Sequence, residues 1–184
     1  MNANPPKRSS TFLEYCSKMS EKVLMVCQGA KRIDMCFDIY KQDSLKLQTR
    51  ENRGTEIRTI VHENTQIPTD FKSFMRIDDN KTKLFGMFAT NLVGKQSTIQ
   101  LITTLKDQVL ANVASIDTRQ ISECNHEEAD TRVILHVFDG ASKGINKIKI
   151  NTIDTDVMVI ALYHFFSLSI KAASDQMAPR TDPD

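Results

Sequence analysis

The clearest pattern for the fold class lies in residues 127–168, which read EEADTRVILHVFDGASKGINKIKINTIDTDVMVIALYHFFSL. Within this stretch, Lys147–Ile153 (KIKINTI) alternates in a two-residue period, which predicts a strand. The segments on either side, Glu127–Ser142 and Val157–Leu168, carry apolar residues at helical spacing. In the first segment these residues are Val133, Ile134, Val137 and Phe138. Helix, strand and helix in this order are typical of an α/β protein.

The chain upstream continues this alternation of helices and strands. Its pattern predicts a helix that ends at Gly29 and then a strand with an odd-numbered apolar stripe. A long helix begins after Thr69-Asp70 and ends at Gly94, and two further strands follow it. The ranges are Phe12–Cys27, Lys31–Tyr40, Phe71–Val93, Thr98–Thr104 and Val109–Val113. Residues 41–70, between the first strand and the long helix, are polar, which predicts a loop with a short helix over Leu45–Arg53. The order predicts an α/β sandwich with a mostly parallel sheet.

Composition predicts one α/β domain over 12–171, with a polar leader over 1–11 and a disordered tail over 172–184. Apolar residues make up 40% of the 184, and the net charge is +1, which excludes a broadly basic nucleic-acid coat. No apolar run approaches about 18 residues, so we expect no membrane partner. The four cysteines form no Cys-x-x-Cys pair, which predicts buried thiols in an intracellular compartment, the nucleus or the cytoplasm.

Carboxylates occur at three places that the predicted sheet brings together. Asp38 lies near the end of the first strand, Glu127, Glu128 and Asp130 open one helix after His126, and Asp154 and Asp156 open the next. The carboxyl ends of parallel strands and the helix starts that follow them share one edge of a sheet. Four or five carboxylates gathered there repel one another, and a divalent cation removes that repulsion. The pattern predicts a site for Mg²⁺ or Mn²⁺.

Each acidic position also has an ordinary structural interpretation. Carboxylates in a first helical turn are favoured by the helix dipole, which is enough to explain Glu127, Glu128 and Asp130. Asp154 or Asp156 is a normal helix cap, and Asp38 a normal solvated residue at a strand end. These alternatives stay open at the level of sequence.

Three cations follow Asp38 on one short segment. Lys46, Arg50 and Arg53 are spaced by four and three residues, so they share a face if the segment is helical. Cations beside a metal-binding set suit a phosphodiester substrate, because they bind the strand while the metal acts at the phosphate. An ordinary solvated basic turn is the alternative.

These motifs together resemble the flap-endonuclease group of structure-specific nucleases, within the PIN-like superfamily. Phe37-Asp38, Leu45-Lys46, Arg50 and Arg53 are similar to that family's second metal-site strand and basic segment. Glu128-Ala129-Asp130 is similar to its Glu-Ala-Glu helix start, and Asp154-Thr155-Asp156 to its Asp-x-Asp pair. The chain also resembles a set of uncharacterised, often multi-copy animal proteins that carry the strings HEEADTR and DTDV and are linked to mobile elements.

The resemblance implies a three-layer PIN-like sandwich and phosphodiester hydrolysis with two metal ions about 3.5–4 Å apart. Its ligands would be Asp38, Glu128, Asp130, Asp154 and Asp156, directly or through water. Lys46 and Arg50 would orient phosphates and stabilise negative charge, and Arg53 would add a phosphate contact. The implied partner is nucleic acid, with DNA favoured over RNA.

The chain departs from the family in its first strand. The family has a metal-site Asp well upstream of the position of Asp38, whereas no Asp precedes Asp34 here. The resemblance therefore implies an incomplete copy, with an exposed sheet edge open to self-association. The alternative function is a catalytically inactive PIN-like binding or regulatory module, or a mobile-element relic.

The sequence lacks a required residue of two other enzyme classes. A zincin needs a second histidine four residues after His126, and that position holds Asp130. A P-loop needs a hydroxyl residue after Gly94-Lys95, where the chain has Gln96.

Overall fold

The computed structural model describes residues 10–39, 59–122 and 129–165. Its helices, in chain order, are α1 (Phe12–Val26), α2 (Phe71–Phe74), α3 (Asp78–Val93), α4 (Arg119–Ser122), α5 (Ala129–Ser142) and α6 (155–165), and its strands are β1 (Arg32–Met35), β2 (Gln100–Leu105) and β3 (Gln108–Ala111). The chain divides between Ala129 and Asp130 into two compact units. Most of the predicted leader, the tail and the short helix over Leu45–Arg53 lie outside the described residues. Within the described ranges, no helix combines the length and the apolar character needed to cross a membrane.

Helix α1 begins at a complete cap. The Thr11 hydroxyl accepts a hydrogen bond from the Glu14 backbone N–H, and the Glu14 carboxylate accepts one from the Thr11 N–H, both at 3.2 Å. The first two amides of the helix are bonded to a distant segment: Phe12 N–H donates to the Thr65 carbonyl at 3.0 Å and Leu13 N–H to the Glu63 carbonyl at 3.1 Å. The predicted helix over Phe12–Cys27 is confirmed.

The predicted helix over Phe71–Val93 is wrong in one respect, because the chain breaks it into α2 and α3. Asp70 caps the first piece by accepting a hydrogen bond from Ser73 N–H, and Ile77 is extended before the second piece starts. The Phe74 carbonyl at the break accepts two hydrogen bonds, one from the buried Asn80 side chain at 3.3 Å and one from Ile77 N–H at 3.4 Å. Gly94 ends α3, as the sequence predicts.

The sheet is small and mixed, so the expectation of a mostly parallel sheet is wrong for the described residues. Strand β2 lies in the middle, parallel to β1 and antiparallel to β3. The reason is the loop between β2 and β3: Lys106 and Asp107 alone connect them, and a parallel connection needs a dozen residues or more. Strand β1 is also shorter than Lys31–Tyr40, since Phe37 N–H donates to the Thr104 hydroxyl at 2.8 Å instead of to a ladder carbonyl.

The first unit has one hydrophobic core between its long helices and the sheet. Helix α3 packs against both α1 and β2. The buried apolar residues of α1 belong to one cluster with residues of β1, α2, α3 and β2. Its members are Phe12, Tyr15, Cys16, Met19, Val23, Ile33, Phe74, Leu84, Phe88, Leu92 and Leu101. The odd-numbered stripe predicted for the first strand contributes Ile33, whereas the even-numbered side carries an ion pair in which Arg32 Nε lies 2.7 Å from the Asp34 carboxylate.

The second unit begins at Asp130 and holds the remainder of α5, α6 and their connection. Gly144 ends α5 in the left-handed conformation (φ 79°), and Ile145 N–H donates back to the Gly140 carbonyl at 3.0 Å. Phe138 and His164 join the helices, with perpendicular rings 5.6 Å apart. The strand predicted at Lys147–Ile153 is wrong: the described residues of this unit hold no neighbouring strand to complete a ladder, and the segment stays irregular.

The core of the first unit makes its stability sensitive to alkaline pH. Burial raises the pKa of the Cys16 thiol from 9.0 to about 12, and burial with the nearby Cys16 charge raises the pKa of the Tyr15 phenol from 10.0 to about 12. Between pH 9 and pH 12 the unfolded chain loses protons from these two groups that the folded chain retains. The free energy of unfolding therefore falls as the pH rises from 9 to 12.

Urea unfolding across that pH range tests this expectation in the wild type, in Cys16→Ala and in Tyr15→Phe. Each variant removes one titrating group, so each should lose stability less steeply with pH. The Tyr15 phenol oxygen is buried with no hydrogen-bond partner among the described residues, so Tyr15→Phe should not lower stability at neutral pH. Equal slopes in all three proteins would contradict the assignment.

Candidate metal centre

Three of the five predicted metal ligands lie together in the second unit, and we name Asp130, Asp154 and Asp156 the acidic triad. Asp130 lies in the first turn of α5. Asp154 directly precedes α6, and Asp156 lies in its first turn. One carboxylate oxygen from each residue lies within 4.8 Å of the other two. Asp130 is half-buried and the other two are exposed.

The donor set of the acidic triad suits a hard divalent cation. All three donors are carboxylate oxygens, and Mg²⁺ is typically held by one or two protein carboxylates with water completing its shell. Since Mg²⁺–oxygen bonds are about 2.0–2.1 Å long, two oxygens on one ion are at most about 4.2 Å apart. The oxygens of the triad lie within 4.8 Å of one another, which is close to that span.

Asp154 has a second role as the cap of α6. Its carboxylate accepts a hydrogen bond from Asp156 N–H at 2.9 Å, and Thr152 supports the turn by accepting from Asp154 N–H at 3.0 Å. The cap interpretation of Asp154 is therefore correct. It leaves the carboxylate's other lone pairs available, so capping and metal binding are compatible at this residue.

The triad comes together by a different route from the one the sequence predicts. The expectation places Asp154 and Asp156 at the carboxyl end of a strand over Lys147–Ile153, and that segment is irregular in the structure. Two helix starts, those of α5 and α6, supply the three side chains. First turns favour acidic residues because of the helix dipole, which explains why the sequence tolerates this concentration of negative charge.

Asp38 lies in the first unit, three residues beyond the end of β1. It is exposed, and its carboxylate accepts a hydrogen bond from Ala129 N–H at 2.9 Å. Beside it is an open cavity of about 200 Å³, over the Phe37 and Phe85 rings, which stack at 4.8 Å. This cavity is smaller than typical ligand sites of about 300–1,000 Å³.

The remaining predicted site residues lie outside the described residues. They are one metal ligand, Glu128, and the three phosphate-binding cations Lys46, Arg50 and Arg53. Their roles stay predictions from the sequence.

Helix α5 also buries a polar row that the sequence reading missed. Arg132, His136 and Asp139 are all at most 5% exposed, and Asp139 forms an ion pair with Lys143 at 2.7 Å. The apolar residues of this helix form the more obvious pattern in the sequence. The signal that finds it is the spacing of four and three residues, which aligns these side chains along one face.

Comparison of the chain with protein-family models, with curated proteins and with solved structures finds no match in any of the three. What can be said of function therefore rests on the sequence motifs and on the geometry above.

Proposed function

We propose that this protein is a divalent-metal-dependent phosphodiesterase that acts on nucleic acid, of the PIN-like, flap-endonuclease type. The observation that carries the proposal is the acidic triad: three hard oxygen donors converge from two helix starts. These are the positions whose motifs, Glu128-Ala129-Asp130 and Asp154-Thr155-Asp156, resemble the metal ligands of that group. A three-layer sandwich of that type is part of the proposal.

The proposed roles of the residues follow from their chemistry. The acidic triad holds the cation, and Asp38 and Glu128 add ligands directly or through water. A bound Mg²⁺ or Mn²⁺ lowers the pKa of a coordinated water and stabilises charge on the phosphate. Lys46 and Arg50 bind the phosphates that flank the scissile bond, and Arg53 extends that contact along the strand. Nucleic acid, with DNA favoured over RNA, is the proposed partner, and the nucleus or cytoplasm the proposed compartment.

A binding or regulatory module without catalysis is the second candidate. The observation in its favour is that Asp154 already acts as a helix cap and that two carboxylates of the triad are exposed to solvent. Exposed first-turn carboxylates need no metal for stability. This candidate predicts nucleic-acid binding without cleavage.

Cleavage of labelled flap and nicked DNA by the full chain distinguishes the two candidates. We expect cleavage in Mn²⁺ or Mg²⁺, and none in a chelator or in Ca²⁺ alone, because Ca²⁺ binds oxygen ligands in a looser geometry. Matched single-stranded and RNA substrates give the preference. Binding without cleavage in every metal would reject the nuclease and favour the module. Cleavage that persists in chelator would reject the metal-dependent mechanism.

A further inference from the structure

The most strand-like sequence of the second unit lacks a pairing partner, and we name Lys147–Ile153 the unpaired segment. Among the described residues, none of its backbone N–H or carbonyl groups forms a backbone hydrogen bond. Alternating β-branched residues in such a segment are a ready template for another strand. Most natural proteins cover or block such an edge.

One side of the unpaired segment is already supported by its own unit. The Ile148 side chain lies above Gly140 of α5, together with Ile145: a Cβ built on that glycine would be 3.6 Å and 3.7 Å from their terminal carbons. The segment is therefore backed by a helix along part of its length. Ile153, at its far end, is 72% exposed.

The charges of this region differ at its two ends. Lys147 and Lys149 lie in the first half, Asp154 follows directly after the last residue, and Asp156 lies two residues further on. All four side chains belong to exposed residues. A second copy running antiparallel brings the basic half of each chain beside the acidic end of the other. A parallel arrangement would place like charges side by side, which is destabilising.

An antiparallel register centred on Ile150 keeps the lysines of the two copies apart. Ile150 then faces its counterpart across the two-fold axis, Lys149 faces Asn151, and Lys147 faces Ile153 directly before the second copy's Asp154. No lysine faces a lysine. This is an isologous contact, which closes as a dimer and does not propagate into a fibre.

Helix α6 adds apolar surface immediately after the unpaired segment. Four of its side chains are 59–78% exposed and form a stripe at helical spacing: Met158, Val159, Leu162 and Tyr163. Contiguous exposed apolar surface of this kind marks an interaction site in a soluble chain. A paired two-stranded ribbon alone is marginal in water, so burial of this stripe supplies the area that the strands lack.

We infer that two copies of this chain associate through antiparallel pairing of their unpaired segments, with the apolar stripes of their α6 helices packed alongside. The inference goes beyond the proposed nuclease function and does not depend on it. It uses the charges of Asp154 and Asp156 but no bound metal.

A charge-exchange experiment on the full chain tests the inference by sedimentation across a concentration series in chelator. Lys147→Glu/Lys149→Glu places acid against acid in a dimer of identical copies, and Asp154→Lys/Asp156→Lys places base against base. Each variant alone should dimerise at least about tenfold more weakly than the wild type. In an equal mixture of the two variants, the new glutamates lie near the new lysines and the native lysines near the native aspartates. The mixture should therefore form the heterodimer. A misfolded variant would not recover on mixing.

A cysteine pair tests the register. Ile150→Cys should form a disulfide between two copies under mild oxidation, identified by peptide mapping, because opposite residues in an antiparallel pair meet the required spacing. Lys147→Cys is the control, since its two copies would lie six residues apart, about 20 Å. A wild type that stays monomeric at every concentration would overturn the inference. So would a dimer that neither charge variant weakens, or equal crosslinking at both positions.

Discussion

Replacing Asp154 and Asp156 together by asparagine is expected to abolish the stabilisation of this protein by Mn²⁺ or Mg²⁺. For the wild type, a metal that binds only the folded chain adds about 2.7 kcal/mol at a free concentration 100 times its dissociation constant. The melting temperature should therefore rise with metal and then saturate. In the double variant the acidic triad keeps one carboxylate, which is too few to hold the ion, and the rise should disappear.

Asparagine is the substitution that isolates the charge. Asp154 caps α6 through the bond from Asp156 N–H, and an asparagine oxygen accepts that bond equally well. Without metal, removal of like charges stabilises the variant, whereas loss of a favourable dipole interaction of about 0.3–1 kcal/mol opposes it. These effects offset each other, so the two proteins should melt at similar temperatures in chelator.

Asp79→Asn/Asp117→Asn is the matched control for that double variant. Both residues are acidic and form ion pairs, Asp79 in the first turn of α3 and Asp117 just before α4. Asp117 also accepts a hydrogen bond from Arg119 N–H, two residues on, as Asp154 does from Asp156. This control should keep the full metal response. A response retained in Asp154→Asn/Asp156→Asn would mean that the metal binds elsewhere. If the nuclease proposal holds, the same variant should also lose at least about 100-fold in cleavage rate.

Truncation of Phe12 to alanine is expected to lower the free energy of unfolding by about 3–5 kcal/mol. The side chain is fully buried in the core of the first unit and packs against Phe74, with ring centroids 5.4 Å apart. Neighbouring residues close such a cavity only in part, so the loss includes both transfer and cavity contributions. Since domains of this size are stable by about 5–15 kcal/mol, the variant should be near the limit of folding.

Met25→Ala on the same helix is the control for the Phe12 variant. Its side chain is 69% exposed, and alanine is a good helix former, so the change should stay within about 0.5 kcal/mol. Urea unfolding followed by circular dichroism compares the two. Losses of similar size would show that this core does not hold α1 in place.

Local signals in the sequence were enough to predict most of the elements. The apolar period that starts at Phe12 predicts α1 without reference to its Thr11 cap, and Gly94 marks the end of α3. Two errors have a common cause in tertiary context. At the break before Asp78, the buried Asn80 side chain donates a hydrogen bond to the Phe74 carbonyl across six residues. A strand at Lys147–Ile153 needs a neighbouring strand, which the described residues of its unit do not hold. Neither condition can be seen in a window of sequence.

The sequence correctly predicts three residues of the candidate site, but not the backbone elements that bring them together. Asp130, Asp154 and Asp156 were named from acidic helix starts, and the structure brings them together. Proximity was expected from a strand edge, whereas two helix termini achieve it. The buried row through Arg132 and His136 has the same period as an apolar stripe, so its spacing alone does not show that these polar residues are buried.

The anchoring of α1 has a consequence for the order in which this protein assembles. Its first two amides are held by carbonyls of Thr65 and Glu63, about fifty residues away along the chain. The start of the helix is thus held both by its local cap and by contacts of high sequence separation. Such contacts raise the contact order and slow folding. In a ribosome-bound chain that has emerged only through β1, the Phe12 and Leu13 amides therefore lack these two carbonyl partners. They gain them only when the segment with Glu63 and Thr65 has been synthesised.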